Sequence, residues 1–199
     1  DEDNDHDVRI FALALLLSSY FLYNSMGSID ENALQNLSFV SNLSSIIRGK
    51  AKEGAKEVSS DQADQDEEDL IQYMPKFMWV VRDFTLQLVD QEDQPISPLD
   101  YLENALKDCE VSGDFQSSQE VKGQLRKYFK ERDCCTMVRP IVDENNLQNL
   151  NTLQIDQLRP EFVQQTFSLR NKILKSMVFK RINSSQIDGK MWMGMVHQF

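Results

Sequence analysis

Residues 77–88 read FMWVVRDFTLQL, an apolar run that ends in the charged pair Arg82-Asp83. Its aromatic and β-branched residues predict a buried strand. In open α/β sheets, ligands bind beyond the carboxyl ends of the strands. Asp83 therefore follows the strand at the point where a ligand-binding carboxylate is expected.

A carboxylate at this position can accept hydrogen bonds from two adjacent N–H groups of one planar ligand. Guanine presents such a pair, the ring N1–H and the exocyclic N2–H, whereas adenine has no donor at the ring position. A ligand that leaves a buried charge in the site unpaired is disfavoured by about 10⁴-fold or more relative to the matching ligand. The alternative is an Arg82-Asp83 turn held by a surface ion pair, and the two residues alone favour that alternative.

The order of the predicted elements indicates an α/β fold. Strands alternate with helices along the chain, which favours a mainly parallel sheet. The predicted strands cover 18–24, 76–84 and 134–140. The predicted helices cover 8–17, from an N-cap at Asp30 to about Arg48, 97–107 with Pro98 in its first turn, 121–130, 160–181, and a last one that starts near 185.

Composition and charge exclude several classes of protein. The chain has 199 residues, 41% of them hydrophobic, with 21 basic and 32 acidic residues and a net charge of −11. Nucleic-acid binders need clustered Lys and Arg, so no nucleic-acid partner is expected, although one local nucleotide site remains compatible with this charge. The three cysteines and two histidines have no spacing typical of a disulfide framework, a zinc site or a catalytic arrangement. We therefore expect a reducing, cytoplasmic setting and no metal ligand in this chain.

Two stretches depart from the average composition. The apolar run at 10–22 is 13 residues long, shorter than the roughly 20 that a membrane-spanning helix needs, and predicts buried core. Residues 49–69 are polar and rich in mixed charge, which predicts a flexible insertion.

Four stretches together resemble the GTPase domain of the guanylate-binding protein family, which is related to the dynamins and atlastins. They follow one another in order and span nearly the whole chain. They are DNDHDVRIFALALLLSSYFLYNSMGSID at 3–30, FMWVVRDFTLQLVD at 77–90, LRKYFKERDCCTMVRP at 125–140 and LRPEFVQQTFSL at 158–169.

The resemblance implies a fold and a function. The fold would be the three-layer sheet of P-loop NTPases with helices on both faces, here without its first strands. The complete domain would bind GTP with Mg²⁺ and hydrolyse it by attack of water on the γ-phosphate. A homodimer through the nucleotide face is implied, and membrane association only through regions outside this chain.

The resemblance also assigns roles to four residues. Asp83 would accept the two guanine donors, and Arg82 would pack against the base or position the loop. Arg139 and Pro140 would lie in the cap over base and ribose. The family often has Thr-Leu before its Arg-Asp pair, where this chain has two valines, and Phe-Asp before its Arg-Pro pair, where this chain has Met137 and Val138. The loss of the acidic residue weakens the assignment of the cap.

The phosphate-binding loop of this family is missing from the sequence. None of the seven glycines belongs to a G-x-x-x-x-G-K-[ST] pattern, and the Asp-x-x-Gly element that senses the γ-phosphate is also missing. The simplest explanation is that residues 1–199 are a partial domain that starts inside switch II, with catalytic and Mg²⁺ ligands in the missing half. The alternative is a degenerate, non-catalytic α/β interaction module that has lost the nucleotide.

Two smaller features predict packing rather than chemistry. Trp192 and its neighbouring methionines predict core, with a partner-binding surface as the alternative. Cys134 and Cys135 lie in a predicted strand and are expected to be unreactive.

Overall fold

The computed structural model of the chain describes residues 2–37, 71, 74–107, 116–182 and 185–198. The predicted continuation of the second helix toward Arg48 and the insertion at 49–69 lie outside these residues. In chain order the elements are α1 (Glu2–Leu17), β1 (Tyr20–Met26), α2 (Glu31–Gln35), β2 (Lys76–Arg82), α3 (Pro98–Ala105), α4 (Gln116–Tyr128), β3 (Arg132–Thr136), α5 (Glu144–Leu147), two 3₁₀ turns (Leu150–Thr152 and Ile155–Gln157), α6 (Pro160–Ser176), β4 (Arg181–Ile182), β5 (Ser185–Gln186) and α7 (Gly189–Gln198).

Three strands form a parallel sheet in the order β1-β2-β3. The register of β1 and β2 runs from Tyr20 opposite Lys76 to Met26 opposite Arg82. Strand β3 pairs in parallel with the other edge of β2. The prediction of an α/β fold with a parallel sheet is therefore confirmed.

The central strand β2 is buried on both faces because helices cover both. Alternate side chains of a strand point to opposite faces. Phe77, Trp79 and Val81 join the larger apolar cluster, together with side chains from α1 to α4. Met78 and Val80 join a smaller cluster on the other face, which α6 covers. The described residues thus form the three layers that the sequence predicted.

The helix starts follow the predicted capping chemistry. The Asp30 side chain accepts a hydrogen bond of 2.9 Å from the backbone N–H of Ala33 at the start of α2. Ser97 and Asp100 form a capping box around Pro98 at the start of α3. Pro160 begins α6 because its ring fixes φ at a helical value and its missing N–H would have no helical partner.

Three local predictions were wrong. Strand β3 occupies 132–136 rather than 134–140, because its register with β2 begins at Arg132 and Pro140 has no N–H to donate to a ladder. A two-stranded hairpin, β4–β5, precedes α7 where helix was predicted from 185. The side chain of Trp192 is 38% exposed, so it is not the core residue that its composition predicted.

The apolar run at 10–22 forms the second half of α1 and the start of β1. Leu15 and Leu16 of this run are buried in the larger cluster, but Ile10, Leu13 and Leu22 are 53%, 37% and 40% exposed, so the prediction of buried core holds for only part of the run. Across the described part of the chain, none of the helices combines the length and the apolar character needed to cross a bilayer.

Two distant side chains cap the carboxyl end of α1. Lys180 Nζ donates to the Ser18 carbonyl at 2.8 Å, and Trp192 Nε1 donates to the Leu17 carbonyl at 3.2 Å. The last carbonyls of a helix have no helical partner, so these bonds satisfy them. Burial lowers the pKa of Lys180 from 10.5 to about 8.

Lys180 predicts a pH dependence of stability. Below pH 8 the amine is charged in both folded and unfolded states, so the desolvation cost of the buried charge is fully present. Between pH 8 and 10.5 the folded state loses the proton first, so the stability contributed by this residue rises with pH. We expect the free energy of unfolding of the wild type, relative to Lys180→Met, to be higher near pH 10.5 than below pH 8. Denaturant titrations of both proteins measure it, and a difference that is flat or falls with pH would contradict the prediction.

Candidate functional site

Two backbone hydrogen bonds to Met137, the residue directly after β3, bracket Asp83. The N–H of Met137 donates to the Val81 carbonyl at 2.8 Å, and the Met137 carbonyl accepts from the N–H of Phe84 at 2.9 Å. Residues 82 and 83 therefore form a corner whose two flanking residues are both bonded to Met137. The corner lies at the carboxyl edge of the sheet, where the sequence placed the site.

A third backbone bond fixes the other side of this corner. The N–H of Gly27, just after β1, donates to the Arg82 carbonyl at 2.8 Å. Asp83 itself has φ +52°, in the left-handed region that non-glycine residues rarely adopt. Aspartate tolerates this region better than most residues do. Such a conformation persists only where its surroundings enforce it, and it is concentrated at functional sites.

Asp83 is partly buried. Among the described residues, no hydrogen bond or ion pair to its carboxylate is found. A carboxylate without a protein partner can accept hydrogen bonds from a ligand.

Arg82 does not pair with Asp83, which removes the surface ion pair that was the simpler interpretation. Its Nε donates to Asn24 Oδ1 on β1 at 2.8 Å. Asn24 lies opposite Val80 in the register, two residues before Arg82, so the Arg82 side chain is directed back along β1. The two roles predicted for Arg82, packing against the base or positioning the loop, stay predictions.

The predicted cap segment leaves the same edge of the sheet. Arg139 makes one ion pair, with Glu144 at 3.6 Å, between side chains that are 42% and 84% exposed. The Pro140 carbonyl accepts from the N–H of Arg159 at 2.9 Å, which brings the segment back to the start of α6. Arg139 and Pro140 follow Met137 by two and three residues, and Met137 is bonded to the residues that flank the Asp83 corner. Their role in a cap over the base stays a prediction.

Sequence reasoning missed the residues that hold this site together. Asn24 lies near the carboxyl end of β1, so the argument that identified Asp83, that sites lie at the carboxyl ends of parallel strands, could also have identified Asn24. Gln165 of α6, whose Oε1 accepts from the Val138 N–H at 2.8 Å, carries no signal in the sequence that separates it from its neighbour Gln164. Gly27 has φ +84°, which a turn directly after a strand explains.

A cavity of about 280 Å³ lies at the opposite, amino edge of the sheet. Its charged side chains pair mostly with one another or with nearby groups. Lys76 contacts Glu131 at 2.6 Å, and Asp133 contacts Lys172 of α6 at 2.9 Å. These ion pairs engage charged residues of the cavity with one another or with α6, and topology favours the carboxyl edge as the ligand site.

The two described cysteines are unreactive, as predicted. Cys134 and Cys135 are both buried. Burial raises the pKa of the Cys134 thiol to about 12, and it raises that of Cys135 as well. A thiol must ionise to act as a nucleophile, so neither is suited to catalysis.

The backbone at Asp83 gives a prediction about stability. At φ +52° an alanine is strained by about 1–2 kcal/mol, whereas glycine is not. At ordinary positions glycine is the less stable residue, by about 0.5–1 kcal/mol. We therefore expect Asp83→Ala to be about 0.5–1 kcal/mol less stable than Asp83→Gly in denaturant titration. At Asp156, an exposed aspartate without positive φ, we expect the reverse, with Asp156→Ala more stable than Asp156→Gly. If alanine and glycine rank in the same order at both positions, the left-handed conformation of Asp83 is contradicted.

Comparison with known proteins identifies the family of this chain. The sequence model described as the guanylate-binding protein N-terminal domain matches residues 1–182. Guanylate-binding protein 7 of Homo sapiens is 39% identical over 167 residues, covering 82% of this chain and 25% of the relative. Guanylate-binding protein 1 of Homo sapiens is 35% identical over 191 residues, covering 94% of this chain and 31% of the relative.

The chain spans 25% to 31% of the length of these curated relatives. The chain belongs to the guanylate-binding protein family.

Proposed function

We propose that this chain supplies the guanine-recognition half of a GTPase domain. The observation that carries the proposal is the carboxylate of the partly buried Asp83, which has no partner among the described residues and follows the central strand at its carboxyl end. The names of the relatives, which describe them as guanylate-binding, support the same ligand. Asp83 would accept from guanine N1–H and N2–H, and the segment that contains Arg139 and Pro140 would cover base and ribose.

The remaining parts of the proposed function would require residues outside this chain. A bound Mg²⁺ would neutralise charge on the β- and γ-phosphates of GTP, and a phosphate-binding loop would hold both. This chain would bind and orient the base and exclude water from it. Hydrolysis by the complete domain, a homodimer through the nucleotide face and a cytoplasmic location are proposed with it.

Titration of the full-length protein with GTP, ATP and XTP tests the proposal. We expect GTP to bind, and ATP to bind far more weakly, because adenine offers no donor at N1 and would leave the Asp83 carboxylate unpaired. Equal affinity for GTP and ATP, or no binding of either, would overturn the proposal. The second result would favour an interaction module without a nucleotide.

The 199-residue chain alone is expected to show no GTPase activity. Without a G-x-x-x-x-G-K-[ST] loop, nothing in this sequence holds the phosphates or the metal ion. Phosphate release from GTP, measured beside a buffer blank and the Asp83→Ala variant, checks this. Release above the blank that the variant abolishes would contradict the prediction, whereas release equal in both proteins would come from a contaminant.

A further inference from the structure

The cap segment, which comprises Arg139, Pro140 and the residues at 141–158, has no core of its own. Residues 141–158 form one short helix and two 3₁₀ turns, and none of the three contains a buried residue. Apolar side chains in this segment are exposed, with Val142 at 76% and Ile155 at 68%. The position of the segment therefore depends on the two stems that enter and leave it.

The entering stem is fixed by a side chain from α6. The N–H of Val138 donates to Gln165 Oε1 at 2.8 Å, across 27 residues of sequence. The leaving stem is held by the bond from the Arg159 N–H to the Pro140 carbonyl. Two ion pairs near the stems, Arg139 with Glu144 and Arg159 with Glu161, are each 3.6 Å long and at least partly exposed, and such pairs contribute little.

Gln165 is itself held firmly. It lies in the second turn of α6, between Phe162 and Leu169, which pack against the smaller cluster of the sheet. Its side chain is partly buried. An acceptor on a packed helix gives the stem one preferred position, and removal of that acceptor leaves the Val138 N–H without its partner.

We infer that Gln165 is a positioning residue for the guanine site, which sets the cap over the base through Val138. The inference rests on the proposed function, because the cap matters for binding only if a guanine nucleotide lies beneath it. Gln165 acts on the lifetime of the bound nucleotide and not on the phosphates. Loss of its acceptor should therefore affect GDP and GTP to the same extent.

Three variants separate this role from a general effect on folding. Gln165→Met keeps the length of the side chain and removes the acceptor. Gln165→Glu keeps an acceptor oxygen at the same position. Gln164→Met is the matched control, since Gln164 is the preceding residue of the same helix and is exposed.

The first measurement is hydrogen exchange of the Val138 amide in the full-length protein without nucleotide. Gln165→Met should accelerate exchange by about 3- to 10-fold, the equivalent of one neutral hydrogen bond. Gln165→Glu and Gln164→Met should exchange as the wild type does. Equal exchange in all four proteins would overturn the inference at its structural step.

The second measurement is the affinity for GDP and GTP by calorimetric titration of the same proteins. We expect Gln165→Met to weaken both nucleotides by about 3- to 10-fold at an unchanged unfolding midpoint, and Gln165→Glu to restore wild-type affinity. Unchanged affinity in Gln165→Met, with faster exchange at Val138, would overturn the positioning role and leave the proposed function intact. A wild type that binds neither nucleotide would instead overturn the proposed function.

Discussion

Asp83→Asn is expected to weaken GTP binding by the full-length protein by about 1.5–3 kcal/mol, the usual contribution of hydrogen bonds to a charged group. This corresponds to about a 10- to 150-fold higher Kd. The amide keeps one acceptor oxygen but directs its donors at guanine N–H groups, so one attractive contact becomes a repulsive one. Calorimetric titration measures the change.

The choice of asparagine keeps this experiment free of a backbone effect. Asp83 has φ +52°, and asparagine is among the few residues that adopt this conformation readily. Asp83→Ala would combine the loss of the carboxylate with backbone strain. Asp93, the other described non-glycine residue with positive φ, lies in the exposed turn after Asp90 and provides the control, because Asp93→Asn should leave GTP affinity unchanged.

Trp79→Ala is expected to destabilise the fold by about 3–5 kcal/mol, the usual cost of replacing a large buried side chain with alanine. Trp79 is fully buried in β2. Its ring packs edge-on against Tyr23 at 5.1 Å and Phe77 at 6.1 Å, and its Nε1 donates to Ser25 Oγ at 2.9 Å. The substitution removes these contacts and leaves a cavity in the larger apolar cluster between the sheet and its helices.

Denaturant titrations of Trp79→Ala and Trp192→Ala measure the loss in free energy of unfolding for the same substitution at two sites. The side chain of Trp192 is 38% exposed, so its loss should cost clearly less. Since domains are stable by only about 5–15 kcal/mol, Trp79→Ala approaches the limit of folding, and Trp79→Phe provides a milder variant of the same kind. Equal losses at Trp79 and Trp192 would contradict the packing described for the central strand.

The sequence predicted the parts of the fold that local chemistry decides. The central strand, the N-cap at Asp30 and the helix starts at Pro98 and Pro160 each depend on residues within one or two turns. The position of Asp83 at a strand end was predicted for the same reason. Its left-handed conformation was not, because it arises from bonds to Gly27 and Met137, which lie more than 50 residues away along the chain.

The contacts that hold the site could not be predicted because they depend on register between distant elements. The bond from Arg82 to Asn24 spans 58 residues and requires β1 and β2 to pair as they do. The bond from Val138 to Gln165 requires α6 to pack over the sheet at one particular rotation. Trp192 was predicted to be buried and is exposed. Apolar composition indicates that a residue can pack in a core, but it does not indicate whether another surface of the fold lies against it.

The central claim is that the Asp83 carboxylate reads the two donors of guanine. The measurement that tests it most directly is a cross-titration of wild-type and Asp83→Asn proteins with GTP and XTP. XTP carries a carbonyl at C2, which can accept from the new amide where guanine offers a donor. We predict that the wild type prefers GTP and that Asp83→Asn shifts the preference toward XTP. If Asp83→Asn binds GTP as tightly as the wild type and gains no affinity for XTP, Asp83 is a turn residue and the account of base recognition is wrong.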